Sequence, residues 1–285
     1  MTERDVGITL YLDNHVMSLI EVQWLYRSWV YSGTSEISDM IIFHNPTIDK
    51  DMLPKHPNII HVPIVPLSET DDEWAYYPHI NGTWFLTTKE AEYLTKYKYL
   101  LRTDPDCFFT SNFKDLRPRL AHFGLSAFSK RPDVSEKLLR ISTDWGIEYY
   151  YKNIGATLMA CPDDILLFSK TQLEFCHKLR DDEFKDGFGK WPGWYKGVLN
   201  MYAGELAANS VFSNNMVFGG LDVFCMSQDE ISPQDYHIHA WQTWNCFSKL
   251  RWRAGEYDNV DFDKLNKNII SDYCLWIAGR KEIHK

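Results

Sequence analysis

Basic charge is scarce in this sequence. Its 285 residues carry 30 Lys and Arg against 39 Asp and Glu, a formal net charge of −9. A nucleic-acid binder needs a basic face, and so does a protein that adheres to anionic lipid, so both classes are disfavoured. Long apolar runs are missing as well. None reaches the roughly 18 residues that a membrane helix needs. The first residues are charged and lead into a strand-like run, which is not the pattern of a signal peptide. The expectation is therefore a soluble chain without a membrane span, in the cytoplasm. Six cysteines are scattered with no Cys-x-x-Cys pair. That argues against a zinc or redox motif and predicts reduced thiols packed as small hydrophobes in the core. Neither a Gly-x-Gly-x-x-Gly fingerprint nor a Walker loop is present; the turn after the first strand is Asp13-Asn14-His15. No Pro/Ser/Gly linker, repeat or low-complexity stretch divides the chain, so residues 1–285 read as a single domain.

Apolar periodicity is abundant. Ile8–Asp13, Met40–His44 and Asn58–Val62 read as strands. Val16, Leu19, Val22, Leu25 and Trp29 recur at helical spacing between the first two. Asp13 or Asn14 is the expected cap of that helix, and Thr87 with Glu90 reads as a capping box for a later one. Further on, Asn153–Ala160 reads as a buried strand and Pro162–Leu179 as a helix with Asp163 and Asp164 in its first turn. A helix follows over Tyr195–Leu206, where Gly197 and Gly204 would admit another backbone. Strands and helices in this alternation predict an α/β fold: a mixed, mostly parallel sheet covered by helices on both faces.

The chemistry centres on Leu101-Arg102-Thr103-Asp104-Pro105-Asp106. Tyr99–Leu101 is a strand, and Pro105 ends it. Asp104 and Asp106 then sit at a strand's carboxyl end, where open α/β sheets bind ligands. Two hard oxygen ligands there suit Mg²⁺ or Mn²⁺ bridging to a diphosphate. The Asp-x-Asp pattern is weak alone. It occurs three times, and only this copy follows a convincing strand; Asp49/Asp51 and Asp261/Asp263 read as turns. Late in the chain, His237 and His239 would share one face of a strand. The 11 Trp supply core, and aromatic faces also suit sugar rings.

These pieces together resemble the GT-A-fold, nucleotide-sugar-dependent glycosyltransferases. Asp104-Pro105-Asp106 looks like their metal-binding Asp-x-Asp. Asn153-Ile154-Gly155 is similar to the Asn-x-Gly strand lining the sugar site in glycogenin-like members. His237-Ile238-His239 is placed like the late His that completes the metal site. The chain is also similar, more loosely, to capsid-glycan glycosyltransferases of large algal viruses, some of them xylosyltransferases, which would put it in viral or host cytoplasm.

The resemblance implies residues 1–110 as a nucleotide-sugar half and 111–285 as an acceptor half. It implies Asp106 as a direct ligand of Mn²⁺ or Mg²⁺, Asp104 as a ligand through water or a ribose contact, and His239 or His237 as the third ligand. Asp13 would hold the base or ribose, Arg102 would neutralise a phosphate, and Asn153 and Gly155 would line the sugar site. The activity implied is transfer from a UDP-sugar (UDP-xylose, UDP-glucose or UDP-galactose) to a hydroxyl of a glycan or glycoprotein acceptor. Glu205, Asp222 and Asp144 are the candidate general bases. A non-catalytic carbohydrate-binding module is the alternative, disfavoured by the long helical periodicities. A metal-dependent nucleotidyltransferase would want further acidic ligands close after Asp106.

Overall fold

The computed structural model describes residues 4–242 and 246–280. The strands are β1 (Val6–Leu12), β2 (Ser38–His44), β3 (Ile59–Pro63), β4 (Tyr99–Arg102), β5 (Cys107–Phe109), β6 (Ala121–Leu125), β7 (Ile154–Ala160), β8 (Met216–Phe218), β9 (Val223–Phe224) and β10 (His237–His239). The long helices are α1 (Val16–Tyr31), α4 (Pro132–Asp144), α5 (Pro162–Asp182), α6 (Leu199–Phe212) and α8 (Ile270–Gly279). Single-turn α2 (Leu67–Thr70) and α3 (Asn81–Trp84) and the five-residue α7 (Lys249–Arg253) complete the set.

Seven strands form one sheet in the order β3-β2-β1-β4-β7-β6-β8. Every pairing is parallel except those of β7, which runs against both β4 and β6. The period of two along each strand sorts side chains to two faces. Ile8, Leu10, Met40, Ile42 and Leu101 face α1. Tyr11, Ile41, Phe43, Leu100 and Leu158 face α5, α6 and the 3₁₀ turns around Phe85 and Leu94. The sheet is thus a mixed, mostly parallel one with helices on both faces. Trp24 and Trp29 on α1 are fully buried, and truncating either to Ala should cost about 3–5 kcal/mol.

A second sheet, β5-β10-β9, leans on the first. β5 and β10 are antiparallel, with His239 opposite Cys107 and His237 opposite Phe109. Ala240 donates its backbone N–H to the Asp106 carbonyl at 2.9 Å. This pairing carries a late segment to the edge where β4 ends.

Several local expectations are corrected. His15, not Asp13 or Asn14, caps α1, its Nδ1 accepting from Met17 N at 3.3 Å. Asn14 instead bonds Thr47 Oγ1 at 2.9 Å. The Thr87/Glu90 capping box does not form. Thr88 precedes a 3₁₀ stretch, Lys89–Lys96, without a side-chain cap, and Thr87 donates to Trp84 O. Cys107, Cys176, Cys225 and Cys274 are buried as expected, but Cys161 is exposed and Cys246 half-exposed. Side chains, not a backbone, occupy the spaces at Gly197 and Gly204: the Tyr195 ring and the Gln172 amide.

Candidate active site

A cleft of about 740 Å³ opens along the carboxyl edge of the parallel strands. Residues at the ends of β1 (Asp13), β2 (Asn45) and β4 (Arg102, Asp104, Asp106) line it. Because β7 runs the other way, its first residues, Ile154, Gly155 and Ala156, reach the same edge. α5 and α6 close one wall with Gln172, Asn200 and Gly204, and α7 closes another with Lys249 and Arg253.

The acidic end is a compact cluster. Asp104 is half-buried and Asp106 buried. His239 Nε2 lies 3.4 Å from Asp106 Oδ1, and Lys249 donates to Oδ2 of the same carboxylate. Burial pushes the Asp106 carboxyl up, but Lys249 and His239 outweigh it and hold the group well below the usual range. Asp104 is pushed up by burial and by Asp106 beside it. Burial works against the His239 cation, yet Asp106 raises its pKa to about 9. Behind them, Glu21 on α1 is pushed to about 7 by burial and Asp106, and it faces Arg253 Nη2 at 3.8 Å.

The donor set suits a hard divalent cation. Asp106 and His239 bring a carboxylate and an imidazole within ligand distance of one another, and Asp104 adds a second carboxylate charge on the same cleft rim without joining that close group. Neighbouring ligands of an octahedral ion, each about 2.1 Å from it, stand about 3 Å apart. The 3.4 Å gap between His239 Nε2 and Asp106 Oδ1 is close to that spacing. The Cys107 thiol also lies within 4.8 Å of both. Sulfur is a soft donor and matches Mg²⁺ or Mn²⁺ less well than the carboxylate oxygens beside it.

His237 is fully buried, its Nε2 2.9 Å from Thr103 Oγ1. Burial and His239 lower its pKa to about 3. Of the two histidines, only His239 reaches Asp106.

At the other end, Asn81 donates to Asp13 Oδ1 at 3.2 Å, and burial pushes the Asp13 carboxyl up. Freed from capping α1, Asp13 faces the cleft. Arg102 is buried, donates from Nη1 to Gln172 Oε1 at 2.6 Å and lies over the Phe168 ring. Gln172 in turn donates to Asn200 O at 2.8 Å, so the guanidinium is held at the cleft wall. Asn153 turns away from the cleft. Its backbone is left-handed (φ 56°), and its side chain accepts from Ser129 N at 3.1 Å.

None of the three candidate bases lines the cleft. Glu205 is buried in α6, where it accepts from Tyr149 Oη, Ser129 Oγ (3.2 Å) and Ile154 N (3.3 Å). Burial raises its pKa to about 7. Asp222 is buried against Thr157, His237 and His239. Asp144 is exposed at the end of α4 and pairs with Arg140 at 2.8 Å.

Sequence reading missed Lys249, Arg253, Glu21 and Gln172. A signal existed for one of them. Glu21 lies among the apolar positions of α1.

A family model described as "Domain of unknown function (DUF7164)" matches residues 2–277. No curated protein matches the sequence. Among solved structures, an active-site mutant of LgtC aligns with a TM-score of 0.53 at 12% identity, covering 88% of this chain and 95% of that one. Galactosyltransferase LgtC in complex with donor and acceptor sugar analogs gives 0.47 at 12% identity over 76% and 75% of the two chains. Core-mannan synthase A (CmsA/Ktr4) from Aspergillus fumigatus, in its Mn/GDP form, gives 0.45 at 9% identity over 77% and 73%. The first of these alignments shows that the chain shares the GT-A fold of LgtC. Among the described residues, no helix is long and apolar enough to cross a membrane.

Proposed function

The chain belongs to the DUF7164 family, and from that premise we propose that it is a metal-dependent glycosyltransferase that moves a sugar from a nucleotide sugar to a hydroxyl of a glycan. One observation carries the reading: a strand-end carboxylate pair, with His239 beside it, opens into a cleft whose walls also bear Arg102, Lys249 and Arg253. Carboxylates and imidazole suit a cation, and the three basic side chains suit a diphosphate.

In this reading Asp104, Asp106 and His239 hold Mn²⁺ or Mg²⁺. When bound, that ion supplies Lewis-acid stabilisation of the departing nucleoside diphosphate. Lys249 and Arg253 approach the diphosphate from α7, and Arg102 from β4. Asp13 and Asn14 receive the base and ribose. Gly155, Gln172 and Asn200 surround the transferred sugar. The bond from sugar C1 to the diphosphate oxygen breaks, the acceptor oxygen bonds to C1, and the hydroxyl proton is released. Residues 1–110 supply the base, ribose and carboxylate contacts of the donor half, and residues 111–285 form the acceptor half while also sending Gly155, Gln172, Asn200, His239, Lys249 and Arg253 to the donor.

The test is calorimetric titration of UDP, GDP and CDP into the protein with and without Mn²⁺, beside Asp106→Ala. Manganese-dependent binding of one nucleotide, lost in the variant, is the expected result and selects the sugars to screen; UDP is the first choice. Silence with all three nucleotides would overturn the donor-site reading.

A further inference from the structure

Asp222 is the one carboxylate of the cluster that does not face the cleft, and its placement is costly. It takes a left-handed backbone (φ 54°), which L-residues adopt at a penalty that Asp tolerates better than most. It is 3% exposed. Thr157 donates to it twice, from its backbone N–H to Oδ2 at 3.1 Å and from Oγ1 to Oδ1 at 2.5 Å. The space it fills exists because two facing residues lack side chains. A Cβ on either Gly124 or Gly155 would overlap Oδ2. A turn, a threonine and two glycines on β6 and β7 therefore converge on one carboxylate.

Its remaining neighbours are the Cys107 thiol, within 4.8 Å, and the two histidine rings of β10. Oδ1 lies 3.6 Å from His239 Nδ1 and 3.7 Å from His237 Nδ1. The far nitrogen of His239, Nε2, is the one that faces Asp106. That of His237 is taken by Thr103. His239 thus stands between two carboxylates, one in the cleft and one behind it.

We propose that Asp222 is a positioning residue: it accepts the Nδ1 proton of His239 and so fixes the ring tautomer that presents an Nε2 lone pair to the divalent cation beside Asp106. This rests on the metal-site reading given above. The two nitrogens of a neutral imidazole cannot both be lone pairs, so whatever holds the proton on one decides what the other can do. A carboxylate behind a ligating histidine also raises the ligand's basicity and fixes its plane. The present 3.6 Å is longer than a closed hydrogen bond, and a shift of the ring by about half an ångström closes it. His237, with both ring nitrogens turned into the protein, packs behind this pair and is not a ligand of the cleft cation.

The test measures Mn²⁺ affinity of the full chain, without nucleotide, by the electron paramagnetic resonance of free Mn²⁺. It is run on wild type, Asp222→Asn and Thr157→Val, with thermal melts of each. Asp222→Asn should weaken Mn²⁺ about 10- to 100-fold, and Thr157→Val by less. Nitrogen-15 spectra of the Mg²⁺-loaded protein, assigned with a His239 variant, should show the Nδ1-protonated form in wild type and a mixture in Asp222→Asn. Wild-type binding with both variants within twofold of it would overturn the inference alone. If Asp222→Asn does not fold, an unchanged affinity and tautomer in Thr157→Val would overturn it. Two Mn²⁺ per wild-type chain and one in Asp222→Asn would also overturn it, since Asp222 would then be a ligand with Cys107 and His237. A wild type that binds no Mn²⁺ either alone or with UDP, GDP or CDP added would overturn the metal-site reading and this inference with it.

Discussion

Lys249 donates its ammonium proton to Oδ2 of Asp106, so the carboxylate expected to bind a divalent ion already holds a cation of the protein's own. Both groups are nearly buried. Removing one partner of such a pair leaves the other charged and desolvated, at a cost of about 3–5 kcal/mol. Lys249→Met should therefore lower the melting temperature by on the order of 10 °C. Manganese should recover more of that loss in the variant than it adds to the wild type, because no ammonium competes for the site. Thermal melts with and without Mn²⁺ decide it: equal manganese shifts in both proteins would show that Lys249 and the ion do not share Asp106.

Asp106 and Asp144 separate cleft chemistry from surface charge. Asp106→Ala should reduce transfer or donor hydrolysis by roughly a hundredfold or more, the scale of losing Lewis-acid stabilisation worth several kcal/mol. Asp144→Asn removes only an exposed pair with Arg140 and should leave turnover within about twofold. Initial rates with the nucleotide sugar that binds would reveal either failure.

Glu205 links stability to pH. Burial raises its pKa from the ordinary 4.5 to about 7. Between those values the folded chain holds a proton that the unfolded chain has released, so stability falls as pH rises through that window and is fully present below it. The contribution is at most about 3 kcal/mol. Urea unfolding of wild type and Glu205→Gln from pH 4 to 8 should show the wild-type slope flattened in the variant. Parallel curves would remove Glu205 as the cause.

Gly155 is the tightest point of the cleft floor. A methyl group there would overlap Asp222 Oδ2 and stand 2.7 Å from the Gly124 carbonyl carbon. Neither is the free end of a long side chain. Gly155→Ala should cost about 1–3 kcal/mol by overpacking, read as a lower urea midpoint at unchanged slope. Gly82→Ala, inside α3 with nothing near its Cβ, is the control and should match or exceed wild-type stability by up to about 1 kcal/mol.

The layered sheet was legible because β1, β2 and β7 are nearly continuous apolar runs, as strands covered on both faces must be. The strand-end position of Asp104 and Asp106 followed from Pro105, and the shared face of His237 and His239 from strand alternation. Which histidine meets Asp106 was not legible. That choice depends on the register of β10 against β5, a pairing between distant segments. Lys249 and Arg253 escaped for a similar reason: a five-residue helix has too little periodicity to be read, and its approach to Asp106 is tertiary. Glu205 illustrates the opposite error. On α6 it looks like a solvated helix residue, yet Tyr149, Ser129 and the start of β7 enclose it. α4 carried a signal that went unread, since Val134, Leu138 and Ile141 recur at helical spacing behind Pro132, whereas the five-residue β6 is too short to show a period.

The lone antiparallel strand has a consequence for the order of folding. β1, β2, β3 and β4 are built from the first third of the chain, with no insertion from later segments. β7 joins β4 only after the intervening β6 and α4 are available, and β10 reaches β5 later still. Closing such distant loops costs entropy that no local contact offsets beforehand. The rim of the cleft built by β1, β2 and β4 can therefore take shape while the polypeptide is still emerging, whereas His239 arrives near the end of synthesis. The finished cleft becomes a timer for completion: an interrupted or truncated product would carry Asp13, Asp104 and Asp106 on its rim and lack the His239 and Lys249 that meet Asp106 in the whole chain.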